Sequence, residues 1–140
     1  MEKTKRISIS LENSFYNLLE NLRKEENYEN RSEFLRDLVR EYLKKKAIKK
    51  NEDSVGVIVL IYNHSQRLLE EKLTDYQHKY FSVIYSTTHI HLNEEKCLES
   101  IILKGKAEEI KNIYNILKKE KGVLFSDLII NPTGEGKETL

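Results

Sequence analysis

The chain has 140 residues, 39% of them hydrophobic and 34% charged, a length that suits one ordinary domain or two small ones. No stretch approaches the roughly 18 consecutive apolar residues of a transmembrane helix, so no membrane span is expected. The single cysteine excludes an intramolecular disulfide framework, and a free thiol indicates a reducing, cytoplasmic location. The net charge is only +1, but residues 1–50 carry 13 basic and 9 acidic side chains, which points to nucleic-acid contact there.

Residues 6–11 alternate strictly between polar and apolar side chains, a pattern that predicts a short, half-buried strand. Because a lone strand is not stable, this one needs a partner strand. Two amphipathic helices are predicted to follow, with Asn13 and Asn30 as their N-caps and Glu33 as the capping-box partner of Asn30. An unpartnered strand and a unit too small for a full core both predict an intertwined dimer.

A charged segment with few apolar side chains, residues 44–53, predicts a boundary between a domain at 1–48 and a second domain at 49–140. The second domain shows the element order β-α-β-β-α-β of a ferredoxin-like sandwich. Its predicted strands and helices, in chain order, cover residues 55–62, 65–77, 81–92, 97–103, 107–119 and 123–130. The predicted fold class is therefore α+β, with an N-terminal β-α-α unit before the sandwich.

Two histidines and the lone cysteine form the most informative motif. His89 and His91 point to the same face of a strand, and a short turn brings Cys97 back beside them. Imidazole and thiolate ligands suit Zn, Cu or Ni; a planar set would select Ni(II), and a tetrahedral set would select Zn(II). A fourth ligand is needed, and His78 is the better of the two remaining histidines. Local geometry does not bring His78 to this strand, so it would come from another subunit.

Each of these residues also has a plainer interpretation. His89 and His91 can decorate an exposed strand face, and Cys97 can be a small buried hydrophobic residue. His64, near a turn, is interpreted as a surface histidine. Glu99 shares a strand face with Cys97, where it either orients a ligand imidazole or is a solvated carboxylate. Spacing alone does not decide between these interpretations.

The polar face of the first predicted strand carries Arg6, Ser8 and Ser10. Two such strands paired between subunits would form a β-ribbon that fits the DNA major groove, where arginine reads guanine and serine reads either class of base. The start of the second helix can hold a phosphate, and Lys3, Lys5 and Arg31 would add phosphate contacts. The alternative is an amphipathic strand with an ordinary solvated face.

The two halves together resemble the nickel-responsive transcriptional regulators, the NikR family, over nearly the whole chain. Residues 6–11 and 30–37 resemble its ribbon-helix-helix domain, a motif that many unrelated repressors and antitoxins share. Residues 77–78 and 89–99 resemble its ACT-like regulatory domain, and this second motif is highly specific. The resemblance implies a nickel-responsive repressor that controls nickel uptake and is not an enzyme.

The resemblance also implies a ligand set for one square-planar Ni(II) per subunit. By position, the four ligands are His89, His91, Cys97 and, donated across a tetramer interface, His78. Gln77 and Glu99 are expected to orient these ligands. Some relatives are rich in histidine after the fourth ligand, whereas this chain has Lys-Tyr-Phe at 79–81, which removes accessory ligands only.

On the DNA side, the resemblance matches Arg6, Ser8 and Ser10 to base-contacting positions. The implied partner is palindromic double-stranded operator DNA, bound by a homotetramer that is a dimer of dimers. Serines stand where threonine is common in relatives, so an operator sequence cannot be transferred. Glu33 and Asp37 match acidic residues that help to form a second cation site between the domains.

Three alternatives remain open at this point. The same architecture can sense Zn, Cu or Co, or the ACT-like domain can sense a small molecule such as an amino acid. A metal-dependent enzyme is the least favoured alternative, since a metal with four protein ligands leaves no open position for a substrate.

Overall fold

A computed structural model describes residues 3–66 and 68–134. The chain divides into two compact units, Met1–Glu41 and Tyr42–Leu140. The helices and strands are, in chain order, α1 Asn13–Glu25, α2 Arg31–Lys49, β1 Asp53–Asn63, α3 Leu69–Lys79, β2 Ile84–His91, β3 Lys96–Lys106, α4 Ala107–Leu117 and β4 Val123–Pro132. Among the described helices, none is both long and apolar enough to cross a membrane. The predicted limits 1–48 and 49–140 meet inside α2 and stay a prediction.

Both predicted helices are present, α1 and the first part of α2 within the first unit, but only one of the two predicted N-caps is formed. The Oδ1 atom of Asn30 accepts a hydrogen bond from the backbone N–H of Glu33 at 2.9 Å, as the sequence predicts. The prediction for Asn13 is wrong, because this residue already has helical geometry. Glu12 occupies the capping position of α1 and makes no side-chain cap.

The turn between α1 and α2 is held by Arg23. Its guanidinium donates to the backbone carbonyl oxygens of Tyr28 and Glu29, and to the carboxylate of Glu20 at 3.1 Å. Asn27 takes a left-handed backbone conformation, with φ of +60°, which asparagine tolerates better than most residues. These contacts set where α2 begins.

The first unit leaves an apolar surface uncovered in the single chain. The predicted strand at 6–11 is not formed, since residues 3–12 lie outside any helix or strand. A strand ladder needs a second strand, and this chain alone supplies none to that segment. Ile7 and Ile9 are 80% and 60% exposed. Exposed apolar side chains of the two helices join them: Phe15, Leu18, Leu22, Leu38 and Val39.

The second unit has the predicted order β-α-β-β-α-β, and its four strands form one antiparallel sheet in the order β2-β3-β1-β4. Alternate side chains of β1, including Ile58 and Leu60, are fully buried. They form one core cluster with Leu73 of α3 and with Ile110 and Leu117 of α4. Burying this apolar area against the helices supplies the main stabilisation of the sandwich.

The register of the three strands β2, β3 and β1 places chemically active side chains in a row. Cys97 of β3 is paired with His91 of β2 on one side and with Tyr62 of β1 on the other. Glu99, two residues further along β3, is paired with His89. Because residues i and i+2 share a face, all five side chains belong to the same face of the sheet.

The starts of two predicted elements shift by three residues or more, and local backbone geometry explains both. Helix α3 begins at Leu69 rather than near residue 65, because Leu68 has a φ of +77° and cannot continue a right-handed helix. Strand β2 begins at Ile84 rather than at residue 81. The segment before it closes a turn in which the N–H of Val83 donates to the carbonyl of Tyr80 at 2.9 Å.

Candidate metal centre

Cys97 lies at the centre of a cluster of imidazoles. Its side chain is fully buried, and its Sγ atom is 3.3 Å from Nδ1 of His91 and 3.4 Å from Nδ1 of His64. The rings of His89 and His91 have centroids 4.7 Å apart. Strand register therefore brings the three sequence-predicted ligands His89, His91 and Cys97 to one place.

Two overlapping sets of donor atoms surround this thiol. One atom each from His64, His91 and Cys97 lie within 4.8 Å of one another, and so do atoms from Glu70, His89 and Cys97. Bonds of about 2.1 Å to nitrogen and about 2.3 Å to sulfur, at a right angle, would separate the two donors by about 3.1 Å. The Cys97–His91 contact comes close to that spacing, so these donors fit a single late transition metal ion.

Burial raises the pKa of the Cys97 thiol, and the carboxylates of Glu70 and Glu99 raise it further. The metal-free protein therefore carries a protonated thiol at neutral pH. Only the thiolate is a good metal ligand, so metal binding must release this proton.

A buried hydrogen-bond network orients His89. The hydroxyl of Tyr62 donates to Oε2 of Glu99 at 3.3 Å, and it lies 3.0 Å from Nδ1 of His89. Because the hydroxyl has only one proton, the contact with His89 requires Nδ1–H to be the donor. The network thereby assigns the lone pair of His89 to Nε2, the nitrogen left for a metal.

Gln77 and Glu99, predicted to orient the ligands, are in direct contact. Nε2 of Gln77 donates to Oε1 of Glu99 at 2.8 Å, and only 6% of Glu99 is exposed. Oε1 of Gln77 accepts from the hydroxyl of Thr87 in β2 at 3.4 Å. Gln77 therefore ties helix α3 to both β2 and β3, the strands that carry His89, His91 and Cys97.

His78 follows Gln77 on α3 and is exposed. Within the described residues, it belongs to neither donor set around Cys97. The structure of one chain thus leaves His78 available to another molecule, while His89, His91 and Cys97 are gathered without it.

His64 and Glu70 are the two donors that sequence reasoning missed. His64 is exposed, as the sequence predicts, but its backbone N–H donates to the carbonyl of Glu95 at 2.7 Å, which holds it against the β2–β3 turn. Its Nδ1 is also 3.1 Å from the carboxylate of Glu70. The signal lies in the strand register: Tyr62 is paired with Cys97, so His64, two residues further along, lies opposite Glu95 and on the same face as Cys97.

The predicted DNA-contacting residues Arg6, Ser8 and Ser10 are all exposed on the segment before α1. Arg31, a predicted phosphate contact, is already engaged: its Nε is 2.5 Å from Glu20, and its guanidinium lies over the ring of Tyr16. Its side chain remains 55% exposed, so one side of the guanidinium still faces solvent.

Asp37 of the predicted second cation site has partners of its own. Its Oδ2 accepts from the hydroxyl of Tyr28 and its Oδ1 from Arg40, each at 2.7 Å. These two bonds lower the pKa of the Asp37 carboxyl. Glu33 lies exposed in the first turn of α2. The second cation site stays a prediction.

Comparison with known proteins gives matches for both halves. Residues 55–131 match the NikR C-terminal nickel-binding domain, and residues 5–46 match the ribbon-helix-helix proteins of the copG family. A relative in Desulfotalea psychrophila is 42% identical over 131 residues (94% of this chain, 96% of the relative), and one in Pyrococcus abyssi is 39% identical over 131 residues (93% and 95%). Both are described as "Putative nickel-responsive regulator". The chain belongs to the NikR family.

Membership of the NikR family and the described elements confirm the predicted α+β fold class, a ribbon-helix-helix unit followed by a domain of order β-α-β-β-α-β. It also makes the chain a transcriptional regulator rather than an enzyme. Among solved structures, the ACT domain from the GTP pyrophosphokinase of Chlorobium tepidum matches with a TM-score of 0.46 and 13% identity, over 55% of this chain and 99% of that one.

The network beneath the metal centre of this NikR-family chain makes a prediction about stability. Tyr62→Phe removes the hydroxyl that donates to the buried carboxyl of Glu99, and we expect a loss of about 1–3 kcal/mol in unfolding free energy. Urea unfolding at one fixed protein concentration measures it. Tyr85→Phe is the control, since Tyr85 is 67% exposed on β2 and should change stability by about 0.5 kcal/mol at most. Equal stability of the Tyr62 and Tyr85 variants would contradict the role of the hydroxyl.

Proposed function

We propose that this protein is a nickel-responsive, DNA-binding repressor that controls nickel uptake. The observation that carries the proposal is the buried thiol of Cys97 within 3.3–3.4 Å of two imidazole nitrogens, in a chain whose other unit belongs to a DNA-binding class. Soft sulfur and imidazole donors suit a late transition metal and disfavour Mg or Ca.

One Ni(II) per subunit would be held by His89, His91 and Cys97 of one subunit and by His78 of another. Bound nickel supplies a cation that replaces the thiol proton and ties the two subunits together. Two features support this assignment. The Tyr62 hydroxyl leaves Nε2 of His89 free to bind the metal, and His78 is exposed on α3.

The sheet offers a surface for the oligomer that such sharing requires, and together with a ribbon-helix-helix dimer it would complete the proposed homotetramer. Its outer face is apolar: Val57 of β1 lies between Ile102 of β3 and Ile129 of β4, which are 46% and 61% exposed. Phe125, 67% exposed, continues the same face. An exposed apolar face of this kind needs a cover, and a second copy of the domain is the proposed one.

On the DNA side, two copies of residues 6–11 would pair as antiparallel strands, and Ile7 and Ile9 on one face of this ribbon would pack on the exposed apolar side chains of the helices. Arg6, Ser8 and Ser10 would then face the major groove twice, related by a two-fold axis. A two-fold protein ribbon matches a palindromic operator. The exposed apolar surface of the first unit supports this dimer.

Nickel can act as a signal only if it binds the DNA-competent state more tightly than the other state. A 100-fold gain in operator affinity would require about 2.7 kcal/mol of coupling. By reciprocity, operator DNA would then raise nickel affinity by the same factor.

The test is a nickel titration followed by operator binding at one fixed salt concentration, because salt alone shifts DNA affinity strongly. The operator is first selected from random duplex DNA with the nickel-loaded protein. We expect one nickel per subunit and tight operator binding only with nickel. Equal operator affinity with and without nickel, or no selected sequence, would overturn the proposal.

A second candidate is supported by His64. The set of His64, His91 and Cys97 lies within a single subunit and could hold a tetrahedral ion such as Zn(II) without any contribution from His78. The absorption spectrum of the loaded protein separates the two, since a planar nickel–thiolate site absorbs visible light and a zinc site does not. Operator binding that responds to zinc and not to nickel would favour this second candidate.

A further inference from the structure

Helix α3 carries Gln77 and His78, so whatever holds α3 also holds the groups that it offers to the metal centre. One side of the helix packs into the core through Leu69 and Leu73, each only 2% exposed. A separate set of polar contacts, far away in sequence, ties the helix to the turn that follows α4.

Both carboxylate oxygens of Glu120 bind side chains of α3. The hydroxyl of Tyr76 donates to Oε1 at 2.6 Å, and Nζ of Lys72 donates to Oε2 at 3.1 Å. Lys72 and Tyr76 are one helical turn apart and therefore share a face of α3. Only 15% of the Glu120 side chain is exposed, and hydrogen bonds to ionised groups are the stronger kind. The hydrogen bond raises the pKa of Tyr76 and lowers that of Glu120.

The turn that carries Glu120 is itself fixed against the start of α3. In this turn, the backbone carbonyl of Gly122 accepts a hydrogen bond from the N–H of Asn63, the last residue of β1, at 2.9 Å. Gly122 has a φ of +103°, and a Cβ atom there would lie 2.7 Å from Cγ of Gln66 and 3.0 Å from Cδ2 of Leu69. A glycine at this position lets the turn approach closely, so the carboxylate of Glu120 projects from a rigid support.

We propose that Glu120 is an anchor that holds α3 in the position from which His78 serves the metal centre. Its part in metal binding rests on the proposed function, whereas the anchoring of α3 does not. Glu120 is a positioning residue: it lies outside both donor sets around Cys97 and acts through Tyr76 and Lys72.

Hydrogen exchange of the metal-free, full-length protein tests the anchor. Tyr76→Phe should speed the exchange of α3 amides by about tenfold, because local opening of α3 no longer breaks the bond to Glu120. Tyr114→Phe is the matched control: Tyr114 is also half-buried, but its hydroxyl contacts Ser126 of β4. Wild-type protection of α3 in the Tyr76 variant, or equal acceleration in both variants, would overturn the proposal.

Nickel affinity then tests positioning separately from stability. Tyr76→Phe should weaken nickel binding several-fold in the wild-type background and clearly less in the His78→Ala background, where only the effect that passes through Gln77 remains. Equal weakening in both backgrounds would overturn the positioning role. If the wild-type protein bound no nickel, the proposed function and the positioning role would both fail, and the exchange comparison alone would decide whether Glu120 anchors α3.

Discussion

The His78→Ala variant is expected to bind nickel at least about 100-fold more weakly than the wild type and to lose nickel-dependent operator binding, with its fold unchanged. Loss of a direct ligand should cost more than loss of a residue that merely orients one, for which 10–100-fold is typical. His78 is exposed at the end of α3, so its removal leaves no cavity. Nickel competition with a chelator measures the affinity, and circular dichroism checks the fold.

His64→Ala is the matched control for this variant, since it removes an imidazole whose Nδ1 is 3.4 Å from the sulfur of Cys97. With a shared site, nickel affinity should change only a few-fold. The reverse pattern, with large loss in the His64 variant and none in the His78 variant, would place the site within one subunit and contradict the proposal.

Mixed oligomers test directly whether His78 of one subunit binds the metal held by another subunit. Subunits carrying His78→Ala keep His89, His91 and Cys97, while subunits carrying Cys97→Ala keep His78. If the site is shared, mixing the two should restore some of the tight nickel binding that neither variant shows alone. A mixture that binds no more nickel than its components would argue that all ligands come from one chain.

The closeness of His89, His91 and Cys97 could be predicted from the sequence because all three lie on the hairpin of β2 and β3, whose geometry is local. Strand periodicity puts His89 and His91 on one face, and a short turn returns Cys97, so six residues of separation suffice. His64 could not be found in this way. Its closeness to Cys97 depends on β1 pairing with β3 across more than thirty residues of sequence, which no local pattern encodes.

The fold shows the same division between local and non-local signals. The element order of the second unit follows from hydrophobic periodicity, and all six predicted elements are present. The start of α3 could not be predicted, because it depends on the left-handed backbone of Leu68, an unfavourable conformation for leucine. The strand at 6–11 is different again: its periodicity is clear, but a single chain lacks the partner that would form it.

Arg6 and Lys5 are neighbours with different expected roles in binding operator DNA. Both belong to the exposed segment before α1, but Arg6 opens the predicted strand 6–11, whereas Lys5 lies just before it. Arg6 then lies on the polar face with Ser8 and Ser10. A guanidinium can hold guanine in a bidentate way, whereas the ammonium of Lys5 acts as a point charge for phosphate.

Arg6→Ala is therefore expected to cost about 1–3 kcal/mol on the selected operator and much less on a scrambled duplex, because it removes base recognition. Lys5→Ala should weaken binding to both duplexes alike and reduce the slope of log affinity against log salt by about one. Fluorescence anisotropy with nickel-loaded protein, over a series of salt concentrations, measures both quantities. An equal loss on operator and scrambled DNA for Arg6→Ala would make Arg6 a phosphate contact, and base reading would then have to come from the serines alone.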